Sequence, residues 1–71
     1  MVEEIKAEIV ANVRTVLVRE GDTVDTESTL VLLESMKMEI PVISQAGGVV
    51  TRVAVHVGDV VGQGDLIAVV E

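Results

Sequence analysis

Lys37 is the residue of this chain whose chemistry stands out, because it lies between two methionines near the middle of the sequence. A lysine amine is protonated at neutral pH, but once deprotonated it can attack an activated carboxyl group and form an amide. Met36 and Met38 could fill gaps in a core, or they could form an adaptable contact surface on an exposed turn. Since an exposed lysine most often serves only solubility, the spacing leaves attachment at Lys37 open and does not identify what would be attached.

Other residues that could support catalysis are few, and ordinary structural roles explain them better. His56 is the only histidine, there is no cysteine, and no serine has a plausible base beside it in the pattern. Asp22 and Asp59 each follow a glycine, which suits hydrogen bonding in a turn better than acid–base work. One histidine without cysteine makes no recognisable metal site. We therefore expect a non-catalytic protein without a bound metal.

The hydrophobic pattern indicates short β-strands separated by turns, without an amphipathic helix. Apolar residues alternate through the second half, which places Val53, Val55 and Val57 on one face of a strand. Pro41 should lie on an edge strand, because proline has no backbone N–H to donate. The strands are expected within residues 5–18, 29–33, 40–43, 49–57 and 66–70.

The two halves of the chain repeat one pattern at an offset of 37 positions. Two copies are too few for a solenoid, so the halves should pack face to face about a pseudo-twofold axis. Lys37 follows the first copy at the point where the second copy reaches the C-terminus, so it should lie on an exposed turn away from the termini. The matching positions include Gly21-Asp22 with Gly58-Asp59, Val13 with Val50, Val16 with Val53, and Leu30 with Ile67.

Composition limits the possible partners. The formal net charge is −7, from 12 acidic and 5 basic residues, which argues against a nucleic-acid or anionic membrane partner. There is no aromatic side chain on which bases could stack. The N-terminus lacks the features of a signal peptide, and no apolar run is long enough to span a bilayer. We expect one cytoplasmic domain over residues 1–71 that is monomeric when isolated.

The run Glu34-Ser35-Met36-Lys37-Met38 resembles the E-[AS]-M-K-M attachment signature of biotinyl domains, the biotin carboxyl carrier protein family. The strand pattern, the Gly-Asp turns and the twofold repeat are also similar, so the resemblance covers essentially the whole chain. It implies an all-β fold, namely a flattened β-barrel or sandwich of two four-stranded antiparallel sheets with pseudo-twofold symmetry. It also places Lys37 at the tip of a hairpin.

The resemblance further implies a role as a biotin carrier. Biotin protein ligase would attach biotin covalently to Lys37. Biotin carboxylase and carboxyltransferase subunits would then use the tethered biotin to move a carboxyl group to an acceptor, usually an acyl-CoA. The carrier would contribute effective concentration rather than catalytic residues. The ligase would recognise the surrounding motif, formed by Glu34, Ser35, Met36 and Met38.

Two alternatives remain open. A lipoyl carrier would share the fold, but lipoyl domains usually have a D-K-[AV] tip, so Met36 and Met38 favour biotin. A biotinylated interaction or regulatory protein that serves no carboxylase is also compatible. The chain lacks the Ala/Pro-rich linker and the thumb loop of many carriers, and it looks most like small free-standing biotinylated proteins. If Val31 and Leu33 face outward, they would mark a docking surface near the tip.

The two copies differ at two turn positions. Glu27 and Ala11 stand where the second copy has Gly64 and Gly48, and the family tends to have glycine in both copies. A non-glycine residue at positive φ costs about 1 kcal/mol or more. We therefore expect the first-half turns to differ slightly from the second-half turns.

Overall fold

The structure, a computed structural model, describes residues 2–71 as eight β-strands, and this part of the chain contains no helix. Short β-branched runs between glycine- and aspartate-containing turns explain this content, because such side chains pack well on a pleated surface. No helix capable of crossing a membrane is therefore found within residues 2–71. The strands are β1 Glu3–Lys6, β2 Ala11–Val16, β3 Thr23–Val24, β4 Thr29–Ser35, β5 Met38–Ile43, β6 Gly48–Val53, β7 Val60–Val61 and β8 Leu66–Val70.

The strands form two four-stranded antiparallel sheets that obey the sequence repeat. One sheet has the order β1-β8-β6-β3 and the other the order β5-β4-β2-β7. The 37-residue offset carries β2 onto β6, β3 onto β7, and the start of β4 onto the start of β8. The predicted pair of four-stranded sheets with pseudo-twofold symmetry is confirmed. Pro41 lies on β5, which is an edge strand as expected.

Within residues 2–71, the strand bounds depart from this symmetry at the β4–β5 hairpin. The strand β4 runs two residues beyond its counterpart β8, and β5 begins two residues before the counterpart of β1. The extra residues are Glu34 and Ser35 on β4, and Met38 and Glu39 on β5. The β4–β5 hairpin therefore extends beyond the strand segments that the two halves have in common.

The hydrophobic core lies between the two sheets and is built from aliphatic side chains. Burying one such side chain stabilises the fold by about 1.5–3 kcal/mol. Because a domain of this size without disulfides depends on its core for stability, most core positions must be filled by these side chains. Val31 and Leu33 are 0% and 2% exposed, so the outward-facing docking surface considered for them is wrong. Both belong to matched pairs of buried residues across the pseudo-twofold axis: Val13 with Val50, Val24 with Val61, Leu30 with Ile67, Val31 with Ala68, and Leu33 with Val70.

The strand expected over residues 49–57 ends earlier, at Val53. Val53 and Val55 pack against or within the core, but Val57 is 66% exposed. The expectation that these three valines share one face is therefore wrong for Val57. Beyond Val53 the backbone leaves the ladder and turns at Gly58, so the two-residue alternation no longer applies.

The equivalent turns of the two halves agree at one pair of positions and differ at another. Glu27 has φ 67° and its counterpart Gly64 has φ 91°, so these two turns share one conformation and the expected difference is absent there. Gly48 has φ 137°, whereas Ala11 is not at positive φ, so the halves do differ at this pair. A Cβ on Gly48 would lie 2.3 Å from the carbonyl oxygen of Glu71, which explains why only glycine fits.

Candidate functional site

The candidate site is the tip of the β4–β5 hairpin. Ser35 and Met38 form its last strand pair, which leaves Met36 and Lys37 as a two-residue loop. Their φ values are 52° and 67°, the left-handed conformation that a tight hairpin loop requires at both positions. Such loops normally contain Asn-Gly, and each non-glycine side chain here costs about 1 kcal/mol or more.

The buried part of the hairpin explains why the loop accepts this conformation. Leu33, which is buried, pairs in register with Ile40, and Glu34 pairs with Glu39. A one-residue slip would turn Leu33 out of the core, so the register is fixed below the tip. With this register, Ser35 pairs with Met38, so only two residues remain to form the loop. The packed base of the hairpin thus holds Met36 and Lys37 in their strained backbone conformation. Such strain is common at functional sites, where the surrounding structure maintains it.

The structure places the three central motif residues in solvent. Met36 is 89% exposed and Met38 is 60% exposed, and Lys37 between them is also exposed. The alternative that these methionines fill core gaps is therefore wrong, and they form an apolar rim around the amine. Within residues 2–71 no carboxylate forms an ion pair with Lys37.

Arg14 forms a second feature of the site, and sequence reasoning missed it. Its Nη1 donates to Oε2 of Glu34 at 2.6 Å, and its Nε lies 3.5 Å from Oε2 of Glu39. Glu34 and Glu39 stand directly opposite each other, where two like charges would destabilise the hairpin. The guanidinium of Arg14 offsets this repulsion. The signal that could have revealed it is the repeat, since Arg14 corresponds to the uncharged Thr51.

The far end of β5 is anchored by Glu3. The hydroxyl of the fully buried Ser44 donates to Oε1 of Glu3 at 3.0 Å, and Gln45 N–H donates to Oε2 at 2.9 Å. Partial burial by itself would raise the pKa of Glu3, but the N–H groups of Gln45 and Ala46 and the Ser44 hydroxyl together hold that pKa below its usual range. The carboxylate thus fixes the segment into which the hairpin runs.

The other residues considered for chemistry serve turns, and His56 and Asp59 lie in the same turn with Nδ1 3.8 Å from Oδ2. His56 has an 87% exposed side chain, and its backbone N–H donates to Oδ2 of Asp59 at 2.8 Å. Arg19 N–H donates to Oδ2 of Asp22 at 2.9 Å, the same bond in the first half. These bonds confirm the turn role of both aspartates. No cluster of metal-binding side chains occurs among residues 2–71.

The arrangement suits acyl attachment. An exposed primary amine on a rigid, narrow hairpin can enter an enzyme's active site, and an acyl group on its Nζ would remain in solvent afterwards. The residues within the described hairpin supply no base to deprotonate Lys37, since both neighbouring carboxylates are held by Arg14. An exposed amine by itself does not distinguish biotin from another carboxylic acid of similar shape.

Comparison with known proteins identifies the family. A biotin/lipoyl family model described as "Biotin-requiring enzyme" matches residues 3–70. The chain is 57% identical over 70 residues to the "Biotinylated protein TB7.3 homolog" of Mycobacterium leprae, and the match covers 99% of both chains. It is also 51% identical over 57 residues to the dihydrolipoyllysine-residue acetyltransferase component of the pyruvate dehydrogenase complex of Pseudomonas aeruginosa. That match covers 80% of this chain and 10% of that protein.

Among solved structures, a single-chain, multi-domain long-chain acyl-CoA carboxylase matches with a TM-score of 0.89 and 32% identity. The match covers 96% of this chain and 7% of the carboxylase. The expectation of biotin as the covalent cofactor is confirmed at the level of the family. The choice of Lys37, with its motif residues Glu34, Ser35, Met36 and Met38, stays a prediction. With the family model spanning nearly its whole length, the chain belongs to the biotin/lipoyl attachment family.

Proposed function

We propose that this protein is a biotin carrier in which Lys37 bears the cofactor. The observation that carries the proposal is the position of Lys37, which is exposed and lies on the strained two-residue tip of the β4–β5 hairpin. No carboxylate among residues 2–71 forms an ion pair with it. The similarity to a biotinylated protein over 99% of both chains supports biotin as the attached group.

Attachment requires an enzyme that activates the acid. The Nζ atom must lose a proton, form a bond to the acyl carbon of biotin and displace the leaving group that activated the carboxyl. Because the hairpin offers no base, a biotin protein ligase must supply both the deprotonation and the activated donor. Met36 and Met38 provide flexible apolar contacts on either side of the amine for that ligase. Glu34 and Ser35 form the rest of the surface that the ligase recognises.

The carrier role follows from tethering. When bound, biotin supplies a ureido nitrogen that can hold a carboxyl group for transfer. The lysine stem then provides reach, and the rigid hairpin limits the volume that the arm explores, which raises its effective concentration at a docked enzyme. In this proposal the protein works in the cytoplasm with biotin carboxylase and carboxyltransferase subunits of an acyl-CoA carboxylase. The similarity of this chain to one domain of such a carboxylase supports that assignment.

Intact mass measurement of the protein isolated from its own host, combined with a streptavidin gel shift, tests attachment. We expect one biotin per chain. Lys37→Arg should abolish the shift, whereas Lys6→Arg should leave it unchanged, because these are the only two lysines. A shift that survives Lys37→Arg and disappears in Lys6→Arg would show that the attachment residue is the other lysine.

A second experiment separates a carboxylase carrier from a biotinylated regulatory protein. The biotinylated protein is mixed with biotin carboxylase from the same host, ATP and labelled bicarbonate, and the label on the protein is counted. Transfer of the label supports the carrier role. A biotinylated protein that accepts no label from any biotin carboxylase of the host would favour the regulatory alternative.

A lipoyl carrier is the remaining alternative, and the similarity to a dihydrolipoyllysine-residue acetyltransferase component gives it specific support. Parallel reactions with purified biotin protein ligase and lipoyl ligase would distinguish the two. We expect modification by the biotin enzyme only, because Met36 and Met38 form the contact rim that the biotin motif predicts. Modification by the lipoyl enzyme alone would overturn the choice of biotin.

A further inference from the structure

The two halves share a β-bulge, and only the half that bears the hairpin tip places an arginine in it. The register between β2 and β4 shifts between Val13 and Thr15, so Arg14 occupies the bulge. The register between β6 and β8 shifts at the equivalent point, where Thr51 occupies the bulge and its hydroxyl donates to the Val69 carbonyl. A bulge redirects one side chain away from the regular ladder. Here it directs Arg14 toward the base of the tip.

Arg14 engages both carboxylates nearest to Lys37 along the hairpin. Glu34 precedes Lys37 by three residues and Glu39 follows it by two, and the guanidinium lies 2.6 Å and 3.5 Å from their Oε2 atoms. A planar guanidinium can serve two acceptors at once, which a single point charge does less well. Lys37, although flanked by these acids in sequence, forms no ion pair in the described chain.

We propose that Arg14 is a positioning residue for the acylation of Lys37. It binds the Glu34 and Glu39 carboxylates and so prevents them from capturing the lysine ammonium, which leaves the amine free to enter a modifying enzyme. This inference rests on the proposed function only in taking Lys37 as the acylated residue. It adds a role for Arg14, because Glu34 and Glu39 are the acidic residues nearest to Lys37 in sequence and would be free to pair with its ammonium once released from Arg14.

Chemical acylation of Lys37 tests this step without any ligase. The unmodified protein is treated briefly with an amine-reactive acetyl ester, and acetylation of Lys37 and Lys6 is quantified by peptide mass spectrometry. We expect Arg14→Gln to slow acetylation of Lys37 by about two- to fivefold, the range set by surface ion pairs, with Lys6 unchanged. Arg52→Gln is the matched control, since it removes the same charge from β6 in the other sheet.

The rescue experiment distinguishes the freed carboxylates from a general loss of structure. Adding Glu34→Gln and Glu39→Gln to Arg14→Gln should restore acetylation of Lys37 to the rate of the original protein. Equal rates in Arg14→Gln and Arg52→Gln would overturn the proposal, and so would a triple variant that remains slow. Circular dichroism before the reaction confirms that all variants are folded at the assay temperature.

Ligation kinetics give a second measurement. If Arg14→Gln lets Lys37 form a competing ion pair, the ligase meets a smaller competent fraction of carrier, so its KM for the carrier should rise about two- to fivefold while kcat stays constant. A fall in kcat with constant KM would contradict this mechanism. If the original protein is not biotinylated at all but Arg14→Gln still slows its chemical acetylation, the proposed function fails and the role of Arg14 stands.

Discussion

Glu27 and Gly64 occupy the same turn in the two halves of the protein, and only one of them is suited to it. Their φ values are 67° and 91°, and their N–H groups donate to the equivalent carbonyls of Ser44 and Ala7 at 2.6 Å and 2.8 Å. The backbone bonds are therefore retained despite the different side chains. The first half accepts a strained glutamate where the second half has the unstrained glycine.

Relief of this strain is a direct prediction. Glu27→Gly should raise the free energy of unfolding by about 1 kcal/mol, because glycine adopts positive φ without a Cβ clash. Gly64→Ala should lower it by about the same amount, and a Cβ there meets nothing within 4 Å, so the cost is conformational. Urea unfolding followed by circular dichroism measures both. Destabilisation by Glu27→Gly would mean that its side chain contributes more than its backbone strain costs.

Gly48 and Ala11 occupy equivalent positions at which the backbone conformations of the two halves differ. Gly48→Ala should lower the free energy of unfolding by more than about 2 kcal/mol, since the added Cβ would approach the Glu71 carbonyl oxygen to 2.3 Å at a φ of 137°. Ala11→Gly is the control and should cost no more than about 1 kcal/mol. Thermal unfolding monitored by circular dichroism compares them, and similar losses in the two variants would contradict this account.

The carboxylate of Glu3 should make stability depend on pH. Its pKa is lowered in the folded protein, so the unfolded chain takes up the proton first as the pH falls. The stabilisation is fully present above the unfolded pKa of glutamate and is lost as the pH falls through the lower, folded pKa. Glu3→Gln should therefore be less stable at neutral pH and should show a weaker loss of stability on acidification.

Urea midpoints recorded from neutral to acidic pH measure this effect. Glu4→Gln is the control, because Glu4 is an exposed neighbour whose nearest partner is Lys6 at 3.9 Å. We expect Glu4→Gln to retain the pH dependence of the original protein. Parallel pH curves for Glu3→Gln and the original protein would show that the bonds to Ser44, Gln45 and Ala46 do not stabilise the fold.

The exposed methionines should affect recognition rather than stability. Replacing Met36 and Met38 with leucine should change the free energy of unfolding by less than about 0.5 kcal/mol, because both side chains lie in solvent. Ligation by biotin protein ligase should slow, since branched leucine is less adaptable than methionine in a partner's pocket. Leu17→Met, a swap at another exposed site, should leave ligation unchanged. Unaltered ligation of the double variant would remove the methionines from the recognition surface.

The sequence alone was sufficient for the architecture and for the position of the candidate amine. Alternating valines and Gly-Asp turns specify strands, and the repeat specifies two equivalent halves. The expectation that the halves pack face to face is wrong in detail, because each sheet contains two strands from each half. The same repeat predicts that Lys37 lies in the connection between the halves. The motif around Lys37 then suggested biotin through family resemblance, which no geometry could have done.

Tertiary structure decided the features that depend on contacts between distant residues. Val31 and Leu33 lie on a strand whose pattern could face either way, and packing between the sheets buried both. The conformation of Glu27 is set by its bond to Ser44 rather than by its own preference. Arg14, which occupies a bulge in β2, reaches Glu34, 20 positions away. Local pattern fixes which residues form strands, but register and packing determine which side chains meet, since those energies arise only when the two sheets close.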